Sequence, residues 1–243
     1  MSGLSATWQP IQGVGTLSTT RDGGVSKPPF DSLNLGLHVG DNRQDVIKNR
    51  AHVNTHLPNP AVWLNQVHST DVIRVDEAFD ANQTLTGDAL YTQLSNQPLA
   101  IMTADCLPIL LTSSDGQEVA AIHAGWRGLV QGIINNTVSC FKHEPANLHA
   151  WLGPAIGANR FEVGQEVVAI FTANNPALHD AFKLQNSEKY LADIYHIARI
   201  LLNQRGVVNI SGGEYCTFSQ NNQFFSYRRD GQTGRMASLI WRK

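Results

Sequence analysis

The chain reads as mixed α/β layers built on sheets of mixed strand direction. Three observations predict this. Short apolar runs of strand character outnumber amphipathic helical stretches, several of those runs lie close enough to pair as hairpins, and the regular β-α-β-α alternation of a doubly wound sheet is missing. The 243 residues are 42% hydrophobic and 16% charged, which supplies a sizeable core and argues against disorder. No fixed-period repeat and no low-complexity linker divides the chain, so one domain over residues 1–243 is expected.

The elements follow in order. The first forty residues are rich in Gly, Ser and Asn, with turns at Asp22-Gly23-Gly24 and Pro28-Pro29. Asp41 begins a helix as its cap, with Gln44 as the second partner of a capping box, and the helix runs to about His56, before Pro58. Strands are expected at Val62–Gln66, Val72–Val75, Ala89–Thr92, Leu99–Thr103, Ile109–Thr112 and Val119–His123. Val130, Ile133, Ile134, Thr137, Val138 and Phe141 share one helical face. Trp151-Leu152 forms a short strand entering the turn Gly153-Pro154, and a helix spans about Gly164–Asn174. Leu191, Ile194, Tyr195, Ala198, Leu201 and Leu202 mark another amphipathic helix, stopped at Arg205-Gly206. Val207–Ile210, Phe224–Arg228 and Ala237–Trp241 close the chain as strands.

Bulk properties exclude several classes. A net charge of −2 argues against a nucleic-acid partner. Three widely spaced cysteines suggest no disulfide framework and fit a reducing, cytoplasmic compartment. The segment Met1–Trp8 lacks the basic and apolar regions of a signal peptide, and no run of about 18 apolar residues offers a membrane span.

Three residues carry most of the chemistry. Cys106 follows the apolar run Ala100–Asp105, His123 ends the run Val119–His123, and His68 closes Trp63–His68. Two imidazoles and one thiolate at strand ends can converge at one sheet edge, where they could hold a catalytic zinc with an open position or act without metal as a thiol nucleophile and histidine base. Taken singly each is weak: a cysteine is often a buried small hydrophobe and a lone histidine often a satisfied polar residue. Leu107-Pro108 keeps the chain extended after Cys106. His123-Ala124-Gly125-Trp126-Arg127-Gly128 suits a tight strand-to-helix turn, where Trp126 can stack on a planar ligand and Arg127 can grip phosphate or carboxylate. Asp88, at a turn before a strand, is a candidate acid, base or ligand orienter. Arg21, Arg228 and Arg229 are candidates for an anion pocket.

The motifs Ser18–Ser26 (STTRDGGVS), Ser32–Asp41 (SLNLGLHVGD), Asn65-Gln66-Val67-His68, Gly87-Asp88-Ala89, Ala104-Asp105-Cys106, His123–Gly128, Gly153-Pro154-Ala155-Ile156-Gly157 and Phe225–Asp230 together resemble the YfiH family, in order and across nearly the whole chain. The resemblance implies an α+β fold, a layered α-β-β-α sandwich with mixed sheets. It implies zinc held by His68, Cys106 and His123, with copper the alternative behind an older polyphenol oxidase or laccase label. It also implies purine nucleoside phosphorylase activity with adenosine deaminase and methylthioadenosine phosphorylase activities, on small-molecule substrates. On this expectation hydroxide attacks C6 in deamination while Asp88 shuttles the proton, and phosphate is gripped by Arg21, Arg127, Arg228 or Arg229. An alternative implied role is peptidoglycan editing, removing L-serine from a muropeptide precursor. A third is a non-catalytic metal or ligand module, which needs a fourth ligand that the sequence does not offer. The laccase label fits the residues poorly, because the remaining histidines (38, 52, 56, 143, 149, 179 and 196) form no His-x-His pairs for a copper cluster.

Overall fold

Side chains alternate between the two faces of a strand, so a strand apolar on both faces must have a packed layer on each side. The central strands here meet that condition: Leu107–Ser113 and Val119–Ala124 are buried at every position. The computed structural model, which describes residues 3–8, 11–79, 85–173 and 175–243, provides the layers as two stacked sheets with helices outside them.

In chain order the strands and helices are β1 (Gly3–Leu4), β2 (Val14–Thr19), α1 (Arg43–Asn54), β3 (Val62–Trp63), β4 (Val72–Val75), β5 (Ala89–Thr92), β6 (Leu99–Thr103), β7 (Leu107–Ser113) and β8 (Val119–Ala124). There follow α2 (Trp126–Gln131), α3 (Ile133–Val138), β9 (Leu148–Leu152), β10 (Glu162–Gly164), α4 (Gln165–Thr172), β11 (Phe182–Leu184), β12 (Lys189–Ala192), α5 (Ile194–Gln204), β13 (Asn209–Gly212), α6 (Tyr227–Asp230) and β14 (Met236–Arg242). One sheet has the order β1-β2-β14-β6-β3, a second β13-β9-β7-β8-β5-β4, and a small third β10-β12-β11. Parallel pairs β3/β6, β4/β5 and β9/β13 sit among antiparallel ones, so the sheets are mixed, as expected.

The strand alternation sorts the core. Leu99 and Ile101 of β6, Leu110 of β7, Val119 and Ala121 of β8 and Ile240 of β14 pack together with Trp151 between the two large sheets. Ile109 and Leu111 of β7 and Ala120 and Ile122 of β8 point the other way, onto α2 to α5. On the far side, Ala100, Ala237 and Leu239 meet Val53 of α1 together with Leu33 and Leu35. The layer order is therefore α-β-β-α. Among the described residues no helix is long and apolar enough to cross a membrane.

Several expected boundaries move, each for a local reason. Asn42, not Asp41, caps α1 by accepting from Gln44 N, because Asp41 Oδ2 already accepts from Ser26 Oγ and Asn34 Nδ2. The strand expected to Gln66 ends at Trp63, where the chain leaves the sheet for the loop that carries His68. The helix expected through Val130–Phe141 is two short ones, α2 and α3, broken at Gly132, whose φ of 102° belongs to the left-handed region. Leu191 lies in β12 rather than in α5, and the strand expected at Val207–Ile210 is β13, shifted to Asn209–Gly212. Phe224–Arg228 is not a strand. Phe224 and Phe225 fill a small separate core with Met236, and the chain then makes the single turn α6, with Ser226 Oγ accepting from Arg229 N. β2 and the three-stranded sheet were not expected. Asn174, the anticipated end of the helix at α4, lies outside the described residues, as do Met1 and Ser2.

Candidate metal and active site

Strand register brings Cys106 and His123 together. In the β7/β8 hairpin Leu107 pairs with Ala124 and Pro108 with His123, so the residue just before β7 lies beside the end of β8. The β5/β8 pairing continues one residue past Ala89, with His123 N donating to Asp88 O at 2.7 Å. Cys106 sits where the chain crosses from β6 in one sheet to β7 in the other. The crossing turns at Asp105, whose φ is 94°, and the Asp105 carboxylate holds the turn by accepting from Thr217 Oγ1 at 2.6 Å and Arg228 N at 2.6 Å.

His68 arrives by a different device. It has φ 62°, in a region uncommon for residues other than glycine. Its loop is held by Asp88, which is fully buried. Asp88 Oδ2 accepts from Val67 N at 3.2 Å and Ser69 N at 2.6 Å, and Oδ1 accepts from His68 N at 3.0 Å. The same Oδ1 lies 2.7 Å from His123 Nδ1. One carboxylate therefore fixes both histidines. Burial would raise the Asp88 pKa, but the bond and charge of His123 and the bonds from Ser69 outweigh it and hold the group at about 2.

The result is a compact donor set. The ligating atoms of His68, Cys106 and His123 all lie within 4.8 Å of one another. Cys106 Sγ is 3.7 Å from His68 Nε2, and the two imidazole centroids are 4.8 Å apart. Donors on a tetrahedral zinc stand about 3.3–3.8 Å apart, so small adjustments close the set on one ion. The bond from Asp88 to His123 Nδ1 leaves Nε2 as the ligand atom, which is the usual carboxylate–histidine–metal arrangement. In the metal-free protein, burial pushes the Cys106 thiol up, but His123 and His68 more than compensate and bring it down to about 6. Burial likewise pushes His123 down, and the Cys106 and Asp88 charges and bonds overcome it and raise the imidazole. Without metal the pair therefore favours thiolate and imidazolium.

A cavity of about 520 Å³ opens over these three residues. Trp126 and Arg127 line it, with the Arg127 guanidinium stacked 4.4 Å from the Trp126 ring. Arg228 lines it too, with Nη1 donating to Glu162 O at 2.9 Å and the guanidinium 5.6 Å from the Phe161 ring. Three expectations are corrected. Asp88 lies behind the histidines and out of the cavity, with both oxygens engaged, so it faces the two histidines and their loop rather than the space a substrate would fill. Arg21 is bound to Asp31 and to the Asn221 carbonyl, away from the cavity. Arg229 binds the carbonyls of Thr217, Phe218 and Phe224 and pairs with Asp230, which makes it a structural arginine.

Sequence reasoning missed other residues. His38 and Arg235 line the cavity, although both sit on loops far in sequence from the three candidate ligands. Gln66 clamps the end of β6, with Nε2 donating to Met102 O and Met102 N donating to Oε1, each at 2.8 Å. Gly125 matters for space rather than for conformation, since its φ is −67°. A Cβ there would stand 2.7 Å from His68 Cδ2 and 3.3 Å from Cys106 Sγ. The glycines of the His123–Gly128 motif gave a signal for a tight turn but none for this close approach.

Comparison with known proteins agrees with this geometry. The family described as "Multi-copper polyphenol oxidoreductase laccase" matches residues 15–243. The chain is 51% identical over 236 residues to the protein named purine nucleoside phosphorylase YfiH of Escherichia coli (strain K12), covering 96% of each. The chain belongs to the YfiH family. A protein named purine nucleoside phosphorylase from Haemophilus influenzae is 46% identical, with 99% of each chain covered. Among solved structures, a Neisseria meningitidis protein superposes with a TM-score of 0.97 at 47% identity over 100% of both chains. YlmD from Geobacillus stearothermophilus gives 0.87 at 33% identity, over 98% of this chain and 99% of that one. The layered fold is thus a family property. The multi-copper description does not suit the donors present, because the described residues bring together a single three-ligand group.

Proposed function

We propose that this chain is a metal-dependent purine nucleoside phosphorylase. The observation that carries the reading is the converging His68, Cys106 and His123 set, held by one buried carboxylate and opening on a cavity with both an indole and guanidinium groups that pair with no carboxylate among the described residues. Relatives 51% and 46% identical along nearly their whole length carry the phosphorylase name. Two imidazoles and one thiolate favour zinc, which such a set would leave with an open position and Lewis acidity toward a bound oxygen or nitrogen. The chain's own residues supply the rest. Trp126 offers a flat apolar face for a purine, and the arginines of the cavity wall offer donors for phosphate. Asp88 keeps His123 in the ligating tautomer and holds the His68 loop. Adenosine deamination at the same centre is part of the proposal, and the absence of a free carboxylate at Asp88 means that another group or water must move the proton.

Phosphate-dependent release of free purine base from adenosine or inosine tests the reading, with His123→Ala beside the wild type. Equal turnover of the two proteins rejects it. A second reading rests on the lowered Cys106 thiol beside His123, a pair that could attack a peptide carbonyl in a muropeptide precursor. Release of free serine from an L-serine-containing UDP-muramoyl substrate, without phosphate, distinguishes this activity.

A further inference from the structure

We propose that inorganic phosphate binds in the cavity against Arg235, with His38 lining the same cavity. The inference rests on the phosphorylase reading and names the residues that take its second substrate. Arg235 immediately precedes β14 and lines the cavity together with the metal ligands. Its side chain is held in place. Nη1 donates to the carbonyls of Thr233 at 2.9 Å and Gly234 at 3.0 Å, and the stem packs so closely on Gly36 that a Cβ there would be 2.9 Å from Arg235 Cγ. Nε and Nη2 have no hydrogen-bond partner among the described residues. A guanidinium fixed in this way, with donors left over, is preorganised for a tetrahedral oxyanion.

Among the described residues no carboxylate pairs with Arg235 or Arg50, while Arg21 and Arg229 both have partners. The Asp105 carboxylate acts on Arg235 from a distance, and its oxygens bond Thr217 and the Arg228 backbone rather than the guanidinium. His38 makes no hydrogen bond among the described residues, and it feels the charges of Arg235, Arg50 and His123. Arg50 sits over the Trp63 ring at 4.1 Å, with Nε on the Leu35 carbonyl at 2.9 Å. His38 and Arg235 line the same cavity, neither paired with a carboxylate among the described residues, and a dianion bound there meets both. Arg127 and Arg228 differ. Both are exposed, whereas Arg235 is half-buried, which suits them to the rim of the cavity better than to its phosphate end.

Arg235 lines the same cavity as His68, Cys106 and His123, so a phosphate held there shares it with the candidate metal ligands. With the base on Trp126, a phosphate oxygen bonds to C1′ as the C1′–N9 bond breaks. The bonding pair leaves on N9, which takes a proton from solvent, giving free base and sugar 1-phosphate.

The test uses the full-length, metal-loaded protein. Inorganic phosphate is titrated calorimetrically into wild type, Arg235→Gln, Arg235→Lys and His38→Ala, and KM is measured for phosphate and for inosine separately. The loss of one guanidinium–phosphate contact predicts a rise of ~10-fold or more in phosphate Kd and KM for Arg235→Gln, with inosine KM changed by less than ~2-fold. Arg235→Lys, which keeps the charge and loses the fork, should fall between. If Arg235→Gln does not fold, Arg235→Lys and His38→Ala decide, both with weakened phosphate binding. Wild-type phosphate affinity in these variants, or a phosphate KM that rises in Arg228→Gln instead, overturns the assignment. A wild type that binds phosphate through Arg235 but releases no base would sink the phosphorylase reading and leave the anion site standing.

Discussion

Replacing Asp88 with asparagine changes one oxygen to an amine and leaves the volume almost untouched, yet four bonds depend on that carboxylate. Oδ1 accepts from His68 N and His123 Nδ1, and Oδ2 accepts from Val67 N and Ser69 N. An amide has one oxygen, so whichever way it points, two N–H groups face another donor in a site with no exposed surface. If the amine faces Oδ1's partners, His123 can relieve the clash only by moving its proton from Nδ1 to Nε2, which removes the metal-ligating lone pair. If it faces Oδ2's partners, the loop that carries His68 at φ 62° loses two of the three bonds that hold it. Bonds to a charged acceptor are worth about 1.5–3 kcal/mol each, so a loss of about 3–5 kcal/mol in unfolding free energy is expected. The depressed pKa gives an independent figure. A shift from 3.8 to about 2 corresponds to about 2 kcal/mol, present above pH ~4 and lost as the pH falls through the folded value. The part due to His123's charge exists only while that ring is protonated, whereas the backbone bonds persist when it ligates. Metal affinity should fall about 10- to 100-fold, as for other carboxylates behind a histidine ligand. Urea denaturation of the metal-free protein and competition with a chromogenic chelator measure the two effects. Wild-type values for both would refute the role given to Asp88.

Three other outcomes follow from the same coordinates. Gly125→Ala should weaken metal binding far more than it lowers stability, because the new Cβ meets His68 and Cys106 directly, and chelator competition beside a melting curve checks this. In metal-free protein carrying Cys216→Ser, alkylation of Cys106 by iodoacetamide should level off above a pH near 6 rather than near the ordinary 9.0, and added zinc should block it. A third concerns the buried Glu118, which accepts from Tyr91 Oη, His143 Nδ1 and the backbone N–H groups of Lys142 and His143. Burial pushes Glu118 up, but these bonds win and lower it, while its bond to His143 raises the imidazole. The Glu118 contribution is present above its unfolded pKa of about 4.5 and fades in acid, and the His143 contribution is complete below about 6.5 and is lost as the pH rises through the raised folded value. Urea midpoints from pH 4 to 9 should peak between those limits, and His143→Ala should flatten the alkaline side; an unchanged alkaline slope would count against the assignment.

The strands that were legible in the sequence share one physical cause. Ala89–Thr92 and Leu99–Thr103 are largely apolar runs bounded by polar turns and are buried on both faces as β5 and β6, and Val72–Val75 is a β-branched run with one exposed arginine, so the pattern and the structure report the same constraint. The same pattern misleads at Phe224-Phe225, because a loop that plugs a small core is as apolar as a strand. The three-stranded sheet went unread because β10, β11 and β12 have only three or four residues each and carry charges. At the site, Cys106 and His123 were readable because hairpin register alone makes them neighbours. His38 and Arg235 lie on loops brought together by long-range packing, and no local spacing encodes that.

The Asp88 role shows why residue type and place in the chain left three functions open. An aspartate before a strand could have been an acid, a base or an orienter, and only burial decides among them. A proton shuttle must reach substrate or water, and a fully buried carboxylate with both oxygens bonded to four N–H groups reaches neither. The same reasoning applies to Asp105, whose carboxylate ties the sheet crossing at Cys106 to Thr217 and to the backbone of Arg228. The two aspartates thus form a bracing layer behind the ligands, one for each route by which the chain enters the site. On the proposed reading, the groups at the cavity that could take part are two imidazoles, one thiol and the arginines of its wall. On that reading the site suits anionic or electron-rich substrates, and Asp88 is not its source of protons.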